Sequence, residues 1–287
     1  MSLDTTMDNK DLEQAVQILE FPTFAAKATK FIGKPMELAL DALPNSVKNK
    51  LGEYTEVCMR TAFRAVLLTV NKERRFQKAH KLVHKGLVTA TGATGGFFGG
   101  LSMAFELPVS TGIMMRSIAE IAREKGEDLT TFESRLECIA VLGLDTSSPG
   151  ASQDTNSSKY FYIRSSMAKE ITKAAQYLAA NAISDESSPF IVQFLSKVAE
   201  RFGIQLTDKM AAELVPVVGA VAGGGINLMF IDHFQRIATG HFTVRQLETK
   251  YGSARVQTEY QAVLNRLKDK AGHIVYDLAE VAATEEK

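Results

Sequence analysis

Two stretches crowded with glycine carry almost no charge, and they constrain the fold more than anything else in the chain. From Gly86 to Met115, a segment that contains ATGATGGFFGGLSMAFELP (90–108), the sole charged residue is Glu106, and LVPVVGAVAGGGINLMFI (214–231) has none. Gly92, Gly96 and Gly100 lie four apart, as do Gly95 and Gly99, and Gly219 and Gly223 repeat that spacing. On a helix this lines small residues along one face, where another backbone can come into van der Waals contact. Each glycine costs a helix roughly 1 kcal/mol relative to alanine, so the runs are expected to be helical only where close packing returns that loss. The most economical partner for each run is the other. The pattern therefore predicts two glycine-lined apolar helices, or helical hairpins, packed together at the centre of the molecule.

Around them helix punctuation recurs and alternating strand patterns are hard to find, which predicts an all-α, multi-helix bundle. Helices are expected near 10–20, 23–42, 46–70, 72–90, 91–105, 108–125, 131–142, 158–183, 189–202, 207–240, 243–251 and 254–282. Thr130 with Glu133 and Thr243 with Gln246 have capping-box spacing, and Ser188 followed by Pro189 suits a helix start. Gly126, Gly203 and Gly252 each follow a helical pattern and suit left-handed C-caps. The Ser/Thr/Asn-rich stretch at 144–158 reads as a loop within one domain spanning 1–287, because the apolar runs on either side look like halves of one core.

Glu106 stands just before Leu-Pro. A residue that precedes proline is pushed out of the helical region, so the first glycine-rich helix is expected to break at Leu107 and a new one to start at Pro108. Glu106 would then face the unpaired amides of the new helix. The alternative is a buried acid paired with a polar group of the second run, where Asn227, Asp232 and His233 are the candidates, with Arg116 completing a polar core cluster. Such a cluster would supply catalytic candidates in Glu106, Asp232 and His233. A weak internal echo, GGLSMAFE against GGINLMFID, each followed by an Arg with Ile-Ala, fits two facing halves.

Directly before the first run, NKERRFQKAHKLVHK (71–85) sets Lys72, Arg74, Arg75, Lys78, Lys81 and Lys85 against Glu73 alone. A basic helix abutting an apolar run suits an anionic cytoplasmic leaflet, at about 1 kcal/mol per cation near the surface. The run's Gly, Thr and Ser content argues against a simple membrane crossing. Overall charge balances at 33 basic and 33 acidic side chains, which disfavours nucleic acid as a partner. Two cysteines, far apart and without a metal-ligand spacing, fit a reducing compartment. The polar, acidic start does not look like a secretory signal, so the protein is expected in the cytoplasm. His80 and His84 share a helix face but lack an HExxH context, and no nucleophile elbow, phosphate loop or dinucleotide fingerprint appears. No metal and no cofactor is expected.

Two blocks carry a family resemblance: ATGATGGFFGGLSMAFELP with MMRSIAEIAREKGEDL, and ELVPVVGAVAGGGINLMFIDHFQRIATGHF. They resemble the EcsC family, bacterial proteins named for a gene beside an ABC transporter pair; Glu106 stands where the family more often has Asp. The resemblance implies a cytoplasmic or membrane-associated helical protein and supplies no catalytic residue list. The favoured reading is a non-enzymatic accessory protein, peripheral at the inner face of the membrane, with an anionic lipid surface or a transporter as partner. The alternatives are a lipid-directed or other hydrolytic enzyme with a buried acid/His site, and a soluble helical adaptor.

Overall fold

Side-chain caps and left-handed glycines set many of the helix boundaries in the computed structural model, which describes residues 3–21, 24, 28, 36–41, 43–69, 100–146, 157–181, 187–214 and 221–285. Thr5, Thr131 and Ser158 each accept the amide three residues on, at the starts of α1 (Thr6–Glu20), α6 (Phe132–Ala140) and α7 (Lys159–Ala180). The other helices are α2 (Met36–Asp41), α3 (Asn45–Lys48), α4 (Leu51–Thr69), α5 (Gly100–Glu124), α8 (Pro189–Leu214), α9 (Val221–Tyr251) and α10 (Ser253–Glu285), with a 3-10 turn at Val141–Gly143 after α6. The described residues contain no strand, and the all-α class stands. Gly126 ends α5 at φ 90°, with the Glu127 amide returning to the Ala122 carbonyl and its own amide to Arg123, the paired bonds of a Schellman cap. Gly252 closes α9 in the same left-handed region, at φ 85°.

Several expected boundaries move. α5 runs unbroken through Pro108, so Glu106 does not cap a new helix there. Proline inside a helix costs about 3 kcal/mol, but Leu107, Met114, Met115 and Ile118 are all buried, and this apolar stripe holds the helix on both sides of the proline. Gly203 lies inside α8 rather than at its end, facing Thr55 of α4, where a Cβ would make ordinary van der Waals contact. Thr243 is buried mid-way along α9, where Val244 and Leu247 extend the core face, so no helix begins there. The α6 cap is Thr131, one residue later than expected, because Thr130 instead donates its amide and hydroxyl to Asp128 Oδ1. At the head of the 144–158 loop the chain is fixed: Leu144, Asp145 and Thr146 are buried, and the Thr146 hydroxyl donates to the Leu19 carbonyl at 2.8 Å.

Buried side chains from α1 and from α4 through α10 form one cluster. α5 and α9 lie at its middle. α5 packs against α4 and α9, while α9 also packs against α1, α8 and α10. Gln235 Nε2 donates to Ser117 Oγ at 2.6 Å and the Arg245 guanidinium meets Glu127 at 2.5 Å, both pairs 118 residues apart. Ser117 lies within α5 and Glu127 just past its Gly126 cap, so the near-constant difference means that α5 and α9 run in the same direction, side by side, with an offset of about 118. α1 runs opposite to α9: Asp8 meets Lys250, and Leu19 faces Gly240. A Cβ at Gly240 would lie 2.9 Å from Leu19 Cγ, which explains glycine within this long helix. α4 runs with α5, since Thr61 faces Gly112 while the Leu67 carbonyl reaches Arg135, beyond the far end of α5. Of the proposed packing glycines, Gly100 opens α5 and Gly223 lies in the first turn of α9, whereas Gly92, Gly96 and Gly219 fall outside the described residues.

Candidate functional site

Three polar clusters are threaded through the bundle, and register decides which sequence-predicted residues can meet. With α9 offset by 118, Glu106 lies level with residue 224, while Asp232 lies level with residue 114. That separates them by about 12 Å along the helix axes. They do not form one site.

Glu106 is buried, and its partner is a residue that the sequence reading did not single out. Lys209 of α8 is wholly buried, with Nζ 3.0 Å from Glu106 Oε1 and 2.7 Å from Glu213 Oε1. Its ammonium also faces the Phe230 ring at 5.7 Å from the centroid. Burial alone would push the Lys209 pKa down, but Glu213 and Glu106 together raise it, so the amine stays charged and is no nucleophile. Asn227 is fully buried on α9. Arg116 is exposed and does not join a core cluster. The sequence signal for Lys209 was available as DKMAAE, a lysine and a glutamate four apart on an apolar helix, but its burial depends on α5 supplying the second carboxylate.

His233 belongs to a second cluster. Its Nε2 lies 2.6 Å from Asp145 Oδ2, with both side chains nearly inaccessible. Arg201 of α8 fixes the same turn by donating to the carbonyls of Gly143 and Asp145. Burial and the Asp145 charge push the Asp208 carboxyl up to about 6. Asp232, adjacent on α9, is half-buried and points away from this pair, as consecutive helix positions must diverge. The described residues contain no group of three or more Cys, His or acidic side chains placed to hold a metal.

The third cluster has the outline of an acid–base relay. The Tyr160 hydroxyl is 2.9 Å from His241 Nδ1, and His241 Nε2 is 3.2 Å from Glu137 Oε2. Burial would raise the Glu137 pKa, but the contact with His241 and the Arg245 and Arg164 charges outweigh it and bring it down to about 2. Burial lowers the pKa of His241, against the pull of Glu137, so the ring is neutral. A neutral ring that accepts from Tyr160 at Nδ1 carries its proton on Nε2, the nitrogen nearer Glu137. Burial raises the Tyr160 pKa, which keeps the phenol protonated. Tyr160 and His241 are each 0% exposed, so no substrate reaches the relay. Its chemical effect is to tie α6, α7 and α9 together, extended by Arg245 to Glu127 and by Arg164 to Glu248.

One open groove of about 640 Å³ lies between α4 and α8, lined by Leu51, Met59, Leu195 and Ile204 among others, with Gly52 and Gly203 in its walls. The Thr55 and Thr207 hydroxyls on its lining donate back to their own helices, to Leu51 and Gly203, and the charged Glu56, Arg60 and Glu200 also line it. The six basic residues Lys72, Arg74, Arg75, Lys78, Lys81 and Lys85 lie outside the described residues.

The profile of the EcsC protein family matches residues 12–247 of the chain. No curated protein and no solved structure matches it.

Proposed function

The chain belongs to the EcsC protein family, and from that premise we propose that it is a membrane-associated accessory protein without catalysis of its own. It meets an anionic lipid surface with the end of the bundle at which α5 and α9 begin. The observation that carries this reading is the shared direction and register of those two helices. It sets the start of α5, at Gly100, and the start of α9, at Val221, at one end of the bundle, and each start lies within one of the two charge-free stretches of sequence. At that end Val109 of α5 is 49% exposed and Leu228 of α9, level with it to within one residue, is 36% exposed. Apolar side chains left open beside charge-free sequence suit an acyl boundary, and the basic run 71–85 suits the headgroups of the same surface. Among the described residues no helix is long and apolar enough to cross a membrane, and the reading invokes contact with a surface.

The hydrolytic alternative needed Glu106 with Asp232 or His233. The described partners of Glu106 and His233 are Lys209 and Asp145 instead, and the Tyr160–His241–Glu137 relay is sealed. The family's association with an ABC transporter makes a transporter the second partner to test.

Sedimentation with vesicles tests the reading. The full chain is expected to pellet with phosphatidylcholine vesicles containing phosphatidylglycerol at low salt, to be released by about 0.5 M NaCl, and to ignore pure phosphatidylcholine. Lys78→Glu with Lys81→Glu should weaken pelleting. A chain that stays in the supernatant with both vesicle types contradicts the proposal and favours the soluble adaptor.

A further inference from the structure

Two carboxylates share one ammonium at the end of α8. Lys209, Glu106 and Glu213 are 0%, 7% and 9% exposed, and fully ionised they would leave one negative charge in an apolar setting. Nothing described around them supplies a second cation. α4 presents the Cys58 thiol, itself pushed up to about 11 by burial, α9 presents the Phe230 ring, and the Thr111 hydroxyl of α5 donates to the Leu107 carbonyl. The charges acting on Glu213 are those of Lys209 and Glu106. A buried uncompensated charge is unfavourable, so the cluster keeps one extra proton. Helix position says where. Glu213 is the penultimate residue of α8, where the helix dipole opposes a carboxylate, whereas Glu106 lies in the N-terminal half of α5.

We propose that Glu106, Lys209 and Glu213 form a one-proton switch: protonated, Glu213 accepts from Lys209 and holds the last turn of α8; deprotonated, it leaves the cluster negative and loosens that turn. Because Glu213 is the penultimate residue of α8, the switch sets how firmly the end of that helix is held against α5. Its consequence for membranes rests on the reading proposed above; the proton site itself does not.

Burial, and secondarily the Glu106 charge, raise the Glu213 pKa against Lys209. A carboxyl whose folded pKa lies above its unfolded value contributes stability that is complete below the unfolded pKa and is lost as pH rises through the folded one. Thermal melting of the full chain from pH 4.5 to 9 therefore reads the switch. Glu213→Gln keeps the acceptor oxygen but cannot ionise. It should melt with the native chain at the acidic end and above it at the alkaline end, flattening the native decline by roughly 2–4 °C or more. A variant that melts below the native chain at every pH makes Glu213 an ordinary ion-pair member and overturns the proposal, as does flattening by Glu106→Gln instead. Carbon-13 NMR of glutamate-labelled native chain gives the same answer without a mutation: one carboxyl titrating well above the others is required, and its absence is contrary. Anionic vesicle pelleting across the same pH range should differ between native and Glu213→Gln chains. No pelleting at any pH removes the membrane reading, and the melting curves then decide the proton site alone.

Discussion

Glu137 is held by one histidine and one arginine in direct contact, and its carboxyl is brought down to about 2 although burial alone would push it the other way. A carboxyl with a depressed folded pKa contributes stability that is present above its unfolded value and lost as pH falls through the folded one. The window here runs from about 4.5 down to about 2, and the contribution is on the order of 3 kcal/mol. Urea unfolding between pH 7 and pH 2 should show the native chain losing that amount across the window. Glu137→Gln should be less stable at pH 7 and should lack this part of the acid slope. Equal acid slopes in the two chains would show that Glu137 is not held as the geometry requires. The sequence offered Glu213 as a neighbour for Lys209, but the burial of Lys209 and of Glu137 depends on partners more than a hundred positions away, Glu106 and Arg245.

At the scale of the element, α5 shows how packing overrides a local rule. The proline signal at 108 was real, and the helix goes through it because an apolar stripe continues on both sides. Pro108→Ala should therefore stabilise the chain, by up to about 3 kcal/mol in urea unfolding. A loss of stability would mean that α5 uses a break at this point. The same override explains Gly203 and Thr243, whose local patterns indicate ends while α8 and α9 continue through them. Where a boundary depends on backbone conformation alone, as at Gly126 and Gly252, the sequence was sufficient, since only glycine enters the left-handed region without a steric penalty. Candidate site residues were less legible than boundaries. Burial of Glu106 and His233 follows from their apolar context, but the identity of their partners follows from register, which one helix cannot reveal.

For the whole molecule the governing feature is that α5 and α9 lie parallel with an offset of 118 residues. The sequence echo between the two runs is partly consistent with it. Arg116 and Arg236 match to within two residues of that offset and are both exposed, whereas Glu106 and Asp232 miss it by eight. The echo thus marks similar helices in similar positions and does not pair their acids. Direction matters for function, because only parallel helices set the starts of α5 and α9 at one end, where Val109 and Leu228 are open.

Electron–electron distance measurement between spin labels tests that arrangement most directly, and the native thiols Cys58 and Cys138 are both buried, leaving introduced surface cysteines to take the labels. Labels at Val109→Cys and Leu228→Cys should lie close, below roughly 25 Å, as neighbours on helices 8–10 Å apart. Labels at Val109→Cys and Lys250→Cys should lie farther apart, at about 35 Å, given the helical rise between the two α9 positions. The reverse order, with the second pair closer than the first, would mean antiparallel helices and would contradict the account.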